Sequence, residues 1–278
     1  MESDTTPPSM PLTAGFSPMT LAGIEAALLA GKLLREGFGT AYQISPKAMK
    51  NDLVTEYDHS SEALIMKYLR DKFPNASFLC EESGHIIHPD AEYCWIVDPL
   101  DGTVNFAHNI PLFCVSIALA KEDEVISGII FEPITNELFV VEKGVGVFLN
   151  GKPVKVSEIE RLENAFVTTS LSFNLHRDPM GSIAKFGQMA SHGFPLRAIG
   201  STALNLAYIA AGRFDAYWSV SGSVNSWDMA AGKLMVEEAG GLVTQCDGTP
   251  YLLFEESTIL ASNGTLHEEV KRNLEDNT

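Results

Sequence analysis

Four short segments place carboxylates where they could do chemistry. They are Asp52-Leu53-Val54-Thr55 with Asp58, Glu81-Glu82-Ser83, the run Asp98-Pro99-Leu100-Asp101-Gly102-Thr103-Val104-Asn105-Phe106, and Trp227-Asp228 followed by Met229-Ala230-Ala231-Gly232. In the third, the apolar residues Trp95-Ile96-Val97 read as a strand that runs out at Asp98, because Pro99 has no N–H to continue a ladder. Asp101-Gly102-Thr103 then has the chemistry of a helix start. Asp98 and Asp101 offer hard oxygen ligands suited to Mg²⁺. The N–H groups of Gly102 and Thr103 would face an anion at that helix N-terminus. A cation site beside an anion site is what phosphoryl transfer requires. Taken singly, each acid has a blander reading. Asp98 and Asp101 could be turn residues, Glu81 a surface charge, Asp228 a helix N-terminal acid, and Asp52 and Asp58 solvated loop and cap residues. Only the four segments together point to a site.

The elements that must position these groups alternate. Ser17 and Pro18 open a helix whose stripe is Leu21, Ile24, Leu28 and Leu29, closed by Gly37 and Gly39. A second helix is expected over about Ser60 to Phe73, stopped by Pro74. Strand-like runs follow at Ser77–Cys80, Cys94–Val97, Phe113–Ala120, Val125–Phe131 and Leu138–Val141. Asn150-Gly151 between two apolar runs predicts a tight hairpin. The second half reads as strand Ala165–Thr169, helices Ile183–Ser191 and Leu204–Ala211, strand Ala216–Val220, helix Met229–Glu238, strand Thr258–Ala261 and helix His267–Leu274. Residues 1–16 read as a frayed tail, and 17–278 as one compact α/β body.

Composition limits the function classes. The chain has 278 residues, 45% hydrophobic and 20% charged, with a net charge of −17. That acidity argues against a nucleic-acid polymer as partner. It would also repel a phosphate ester unless bound cations inverted the local field. No apolar run reaches membrane-spanning length. Cys80, Cys94, Cys114 and Cys246 lack metal-site spacing and read as reduced thiols, which suits a cytoplasmic protein. The histidines also lack such spacing. His85 and His88 are expected on a surface loop, and His108 as a structural hydrogen-bonder.

Together the four segments resemble the inositol monophosphatase family, as do Gly200-Ser201-Thr202-Ala203-Leu204, Ala210-Ala211-Gly212 and Glu237-Glu238-Ala239-Gly240-Gly241. The resemblance covers Ser17 to Leu274. It implies alternating helix and sheet layers, the sandwich shared with fructose-1,6-bisphosphatase, and hydrolysis of a small phosphomonoester with two to three Mg²⁺ ions. It also implies sensitivity to Li⁺ and a homodimer. Glu81, Asp98 and the Leu100 carbonyl would hold the first metal, and Asp98, Asp101 and Asp228 the second. A third, weaker Mg²⁺ would sit near Glu81 through water. Thr103 and Asp52 would orient and help deprotonate the attacking water, with Gly102 and Thr103 against the phosphate. Ser201, Thr202 and Ser219 are the expected substrate contacts.

One departure concerns substrate choice. Inositol monophosphatases usually carry Glu after the aromatic pair that here is Tyr217-Trp218, and Ser219 stands in its place. The stretch before Trp227 also looks about two residues longer. Histidinol phosphate, fructose 1,6-bisphosphate and 3′-phosphonucleotides therefore remain alternative substrates. A non-catalytic metal-binding regulator would be expected to lack an acid or Thr103, and all are present. A nuclease-like two-metal enzyme is disfavoured by the net charge.

Overall fold

The computed structural model describes residues 15–46, 53–170, 179–254 and 257–275. Asp52 and the first fourteen residues lie outside them.

Helices α1 (Pro18–Gly37) and α2 (Glu56–Lys72) form the first layer. The Ser17 hydroxyl caps α1 by accepting from the Thr20 N–H. Helix α2 starts four residues before the expected Ser60. Its cap is Thr55, and Asp58 closes a capping box by accepting from the Thr55 N–H at 2.7 Å. The apolar stripe begins only at Leu64, so periodicity placed the start too late, whereas the cap spacing marks it correctly. A small hairpin, β1 (Ile44–Pro46) against β2 (Leu53–Thr55), lies between the two helices in sequence.

The second layer is an eight-stranded sheet. Its strands are β3 (Ser77–Cys80), β4 (Gly84–Ile86), β5 (Tyr93–Asp101), β6 (Cys114–Lys121), β7 (Glu124–Glu132), β8 (Glu137–Glu142), β9 (Gly146–Leu149) and β10 (Lys152–Pro153). They lie in the order β10-β9-β8-β7-β6-β5-β3-β4. Only β3 and β5 pair in parallel, with Cys80 opposite Val97. The Asn150-Gly151 hairpin forms as expected, with φ of 46° and 74°. His85 lies in edge strand β4, opposite Leu79, rather than on a loop. His108 is exposed, and its backbone N–H does the bonding at the end of a short helix.

Burial alternates along β5 as a two-sided strand requires. Trp95 and Val97 pack with Leu34, Ile65 and Leu69 of α1 and α2. Ile96 faces the other way, into a core shared with Leu204, Met229 and Tyr217. That second core holds α5 (Thr202–Ala210) and α6 (Ser226–Glu238), the middle helical layer. Beyond it lies a five-stranded sheet in the order β12-β11-β13-β15-β14. Its members are β11 (Val167–Thr169), β12 (Leu196–Arg197), β13 (Ala216–Val224), β14 (Leu242–Thr244) and β15 (Ser257–Ser262). Trp218 and Leu260 on its far face pack with Met189 of α4 (Pro179–Ala190) and Val270 and Leu274 of α7 (His267–Leu274). The sequence is helix, sheet, helix, sheet, helix, the alternating layers expected. Among the described residues no helix is long and apolar enough to cross a membrane.

Candidate active site

The parallel pair sets the first two acids. Because β3 and β5 run side by side in the same direction, they end at the same edge. The Glu81 N–H donates to the Val97 carbonyl at 3.1 Å, which fixes Glu81 beside Asp98. Strand β5 does not stop at Asp98. It continues to Asp101 with a break in register, Asp98 facing Ser116 and Asp101 facing Cys114. The bulge places Pro99 where no ladder bond is needed, which is where a strand tolerates proline. The Leu100 N–H turns back to donate to Asp98 Oδ1 at 2.9 Å.

Gly102 then takes φ of +99° and caps a one-turn helix, α3 (Thr103–Ala107). A Cβ there would meet the Leu112 carbonyl oxygen at 2.9 Å, so the position admits only glycine. Asn105 ties α3 to the second half of the chain, donating to the carbonyls of Leu112 at 2.7 Å and Ile199 at 2.8 Å.

Asp101 is held by α5. Its Oδ2 accepts from the Ser201 hydroxyl at 2.5 Å and the Ala203 N–H at 2.7 Å, and its Oδ1 from the Thr202 N–H at 3.4 Å. A carboxylate at a helix N-terminus is favoured by the orphan N–H groups and the dipole. The Ser201 hydroxyl is thus occupied by Asp101 and by the α5 cap, and the Thr202 hydroxyl lies 3.3 Å from the Tyr217 hydroxyl. Asp228 comes from the first turn of α6, where it accepts from the Asn225 N–H at 2.9 Å. Ser116 anchors that turn by donating to the Trp227 carbonyl at 3.3 Å.

These elements bring oxygens of Asp98, Asp101 and Asp228 within 4.8 Å of one another. Asp98 is almost wholly buried. Burial first, and then the neighbouring carboxylates Glu81, Asp101 and Asp228, push its carboxyl well above the usual range. Burial raises Asp101 as well, against the opposing bonds from Ser201 and Ala203. Asp228 is pushed well up by burial, then by Asp101 and Glu81. Four acids converging here, Asp98 and Asp101 buried and Glu81 and Asp228 half-buried, cannot all ionise without a counter-charge. Carboxylate oxygens are hard donors, of the kind that hold divalent cations such as Mg²⁺ or Ca²⁺. The set fits the expected cation.

Thr103 is the next group out. Its hydroxyl lies 2.9 Å from Asp58 Oδ1 and 3.0 Å from the Leu100 carbonyl. The sequence reading pairs Thr103 with Asp52, which lies outside the described residues, and assigns Asp58 no role beyond its place in the first segment and the blander reading of a solvated cap. Asp58 is instead fully buried. Burial raises its carboxyl, while the bonds from Thr55 and Thr103 oppose that shift. The Thr55-x-x-Asp58 spacing was the signal available for it. Two further residues of α2 hold the neighbouring loops. The Ser61 hydroxyl donates to the Pro99 carbonyl at 2.8 Å, and buried Glu62 accepts from the Glu82 N–H at 2.9 Å and from the Ser83 hydroxyl. Ser219 is buried in β13 opposite Ile259, just before a second break in register. Cys80, Cys114 and Cys246 are buried free thiols, and Cys94 is half-buried and free.

The model of the inositol monophosphatase family matches residues 16–278. An inositol-1-monophosphatase of Synechocystis sp. is 37% identical over 93% of this chain and 91% of its own length. That of Caulobacter vibrioides is 40% identical over 90% of this chain and 98% of its own. The crystal structure of the extragenic suppressor protein suhB from Bartonella henselae superposes with a TM-score of 0.88 at 37% identity. It covers 94% of this chain and 100% of that one.

Proposed function

Because the chain belongs to the inositol monophosphatase family, we propose that it is a Mg²⁺-dependent hydrolase of a small phosphomonoester, releasing alcohol and inorganic phosphate. The observation that supports this is the convergence of Asp98, Asp101 and Asp228 at the strand end that leads into Gly102 and Thr103 at the start of α3. Water attacks phosphorus, the phosphorus–oxygen bond to the alcohol breaks, and the alcohol oxygen takes a proton.

Glu81, Asp98 and the Leu100 carbonyl would hold one Mg²⁺, and Asp98, Asp101 and Asp228 another, with a third, weaker ion near Glu81. When bound, the cations lower the pKa of water and neutralise charge on the transferring phosphoryl group. The protein's own groups do the rest. Gly102 and Thr103 direct N–H groups at the phosphate, and Thr103 and Asp52 orient and help deprotonate the attacking water, with Asp58 accepting from the Thr103 hydroxyl at 2.9 Å. Ser201 and Thr202 contribute first by fixing Asp101, and they and Ser219 are the candidates for contact with the alcohol. The names of the relatives make inositol 1-phosphate the first ester to test. Histidinol phosphate, fructose 1,6-bisphosphate and 3′-phosphonucleotides come next. The complete acid set and Thr103 support an enzyme over a non-catalytic regulator. One domain over residues 17–278, a homodimer, inhibition by Li⁺ and a cytoplasmic setting complete the proposal; the free, mostly buried cysteines support the last.

The test is phosphate release with added Mg²⁺ and after chelation. Turnover should vanish on chelation and return with Mg²⁺, and the Mg²⁺ form should melt higher, since the ion binds the folded state. Undiminished release from the chelated protein would end the two-metal reading. Insensitivity at high Li⁺ would remove only the lithium proposal.

A further inference from the structure

Helix α2 changes character along its buried face. Ile65, Met66 and Leu69 pack with Trp95 and Val97 of β5, whereas the turn before them buries Ser61 and Glu62. A buried carboxylate is costly unless donors meet it. Those that meet Glu62 come from one loop, the Glu82 N–H at 2.9 Å and the Ser83 hydroxyl. Glu81-Glu82-Ser83 is the turn that leaves the sheet after Cys80 and rejoins it at Gly84, the residue paired with Cys80. The Ser61 hydroxyl donates to the Pro99 carbonyl at 2.8 Å, inside the β5 bulge between Asp98 and Leu100. Neither bond serves the helix, whose cap is made by Thr55 and Asp58. Two adjacent residues of α2 therefore grip both segments that carry the proposed ligands of the first cation. The sheet holds the same segments a second time, through the Glu81 N–H on the Val97 carbonyl at 3.1 Å and through Asp98 opposite Ser116.

Mg²⁺ requires near-octahedral geometry, so the placement of its ligands relative to one another sets its affinity. Groups that hold ligands in place are typically worth about ten- to a hundredfold in metal affinity. We propose that Glu62 and Ser61 are positioning residues. By holding the Glu81 turn and the Pro99 bulge to one helix, they fix Glu81 relative to Asp98 and the Leu100 carbonyl and so raise the affinity for the first cation. This role rests on the two-cation phosphatase reading above and extends it to two side chains outside the ligand set.

The decisive variant is Glu62→Met, which keeps the length of the side chain and removes both acceptors. Mg²⁺ binding to the full chain is followed by calorimetry. Phosphate release from inositol 1-phosphate, or from glycerol 2-phosphate should the first be poor, is followed against Mg²⁺ concentration. Glu62→Met should weaken the first Mg²⁺ binding event about ten- to a hundredfold and raise the Mg²⁺ concentration for half-maximal release by the same factor. At saturating Mg²⁺, kcat should stay within about threefold of wild type. Ser61→Ala should act in the same direction by about threefold, because one neutral bond is lost. Glu62→Gln can still accept from the Glu82 N–H and can donate to the Ser83 hydroxyl, so its Mg²⁺ affinity should lie within about threefold of wild type. In a Glu81→Gln background, Glu62→Met should weaken binding by no more than about threefold. A lower Tm with unchanged Mg²⁺ affinity in Glu62→Met, or fully additive losses in the cycle, would overturn the proposal. Should Glu62→Met fail to fold, Ser61→Ala combined with Ser83→Ala is the second variant, expected to weaken binding about tenfold; unchanged affinity there overturns the proposal equally. A wild type that binds Mg²⁺ but hydrolyses no ester would end the phosphatase reading and leave calorimetry to decide the positioning role. A wild type that binds no Mg²⁺ would end both.

Discussion

Strands β5 and β13 both break register where they approach the acid cluster, and they do so to different ends. Along β5 the pairing passes from Asp98 opposite Ser116 to Asp101 opposite Cys114, a single extra residue. The groups at that bulge are held close by: Asp98 accepts from the Leu100 N–H, the Pro99 carbonyl from Ser61, and Asp101 from Ser201 and Ala203. Along β13 the pairing passes from Ser219 opposite Ile259 to Val224 opposite Ser257, five positions against two. That larger break lies between Ser219 and the first turn of α6, which carries Asp228. The first break fixes charge with little freedom to change. The second adds length just before the helix that carries Asp228, and on the proposed function it would lie on the side of the alcohol. On this contrast, changes at the β5 break should stop chemistry, and changes at the β13 break should redirect it.

The largest effect is therefore expected at Asp98. Asp98→Asn should abolish turnover while leaving the fold intact, because Asp98 is the acid proposed to serve both cations. Removing an acid from a site of mutual repulsion should not lower the melting temperature of the metal-free protein. Matched melting curves and phosphate release would check both halves, and wild-type-like turnover would place the metals elsewhere. Thr103→Ala should cost less, roughly 10²–10⁴-fold in kcat, since Thr103 orients water without holding a cation.

The legibility of the two breaks in the sequence differs for physical reasons. Helix α1 was readable because Ser17 and Pro18 are local start signals, and the Asn150-Gly151 hairpin because its turn demands two positive φ values. The continuation of β5 was not, since Pro99 looks like a stop unless the bulge that accommodates it is known. Strands β1, β4, β12 and β14 are two or three residues long, too short for any periodicity to register. The acids themselves were identified through motif resemblance. Their convergence depends on the parallel pairing of β3 with β5 and on α6 crossing the sheet, neither of which spacing reveals. Asp58 shows a missed local signal: Thr55-x-x-Asp58 spells a capping box, but only the fold shows that the same carboxylate reaches Thr103.

Substrate choice sharpens the contrast from the β13 side. A carboxylate that accepts bonds from polyol hydroxyls is worth about 1.5–3 kcal/mol per bond, and Ser219 is shorter and neutral. Inositol 1-phosphate should therefore be hydrolysed roughly ten- to a hundredfold less efficiently than another small ester, in kcat/KM. The measurement is a panel of inositol 1-phosphate, histidinol phosphate, fructose 1,6-bisphosphate, a 3′-phosphonucleotide and glycerol 2-phosphate. Asn225, at the end of the β13 break, could supply a replacement contact. A tenfold lead for inositol 1-phosphate would show that the Ser219 argument is wrong and that the second break does not weaken polyol recognition.

The smallest effect separates the two sheets by their response to acid. His267 is buried at the start of α7, with Nε2 2.9 Å from the Thr244 hydroxyl and Nδ1 2.9 Å from the Ser262 hydroxyl. It ties β14 and β15 to α7, on the sheet that carries β13. Burial lowers its pKa from 6.5 to about 4. The folded imidazole thus stays neutral at a pH where the unfolded chain takes up a proton. With the folded pKa below the unfolded one, stability is full above about pH 6.5 and is lost as pH falls toward about 4. By pH 5 the loss from this group should be about 2 kcal/mol, or several degrees in Tm. His267→Gln should melt lower at neutral pH but vary less with pH. The difference between its curve and that of the wild type isolates the histidine from the acids, whose raised pKa values favour the metal-free fold at low pH. Parallel curves would mean that the second sheet does not depend on a neutral His267, and that its acid response arises elsewhere in the molecule.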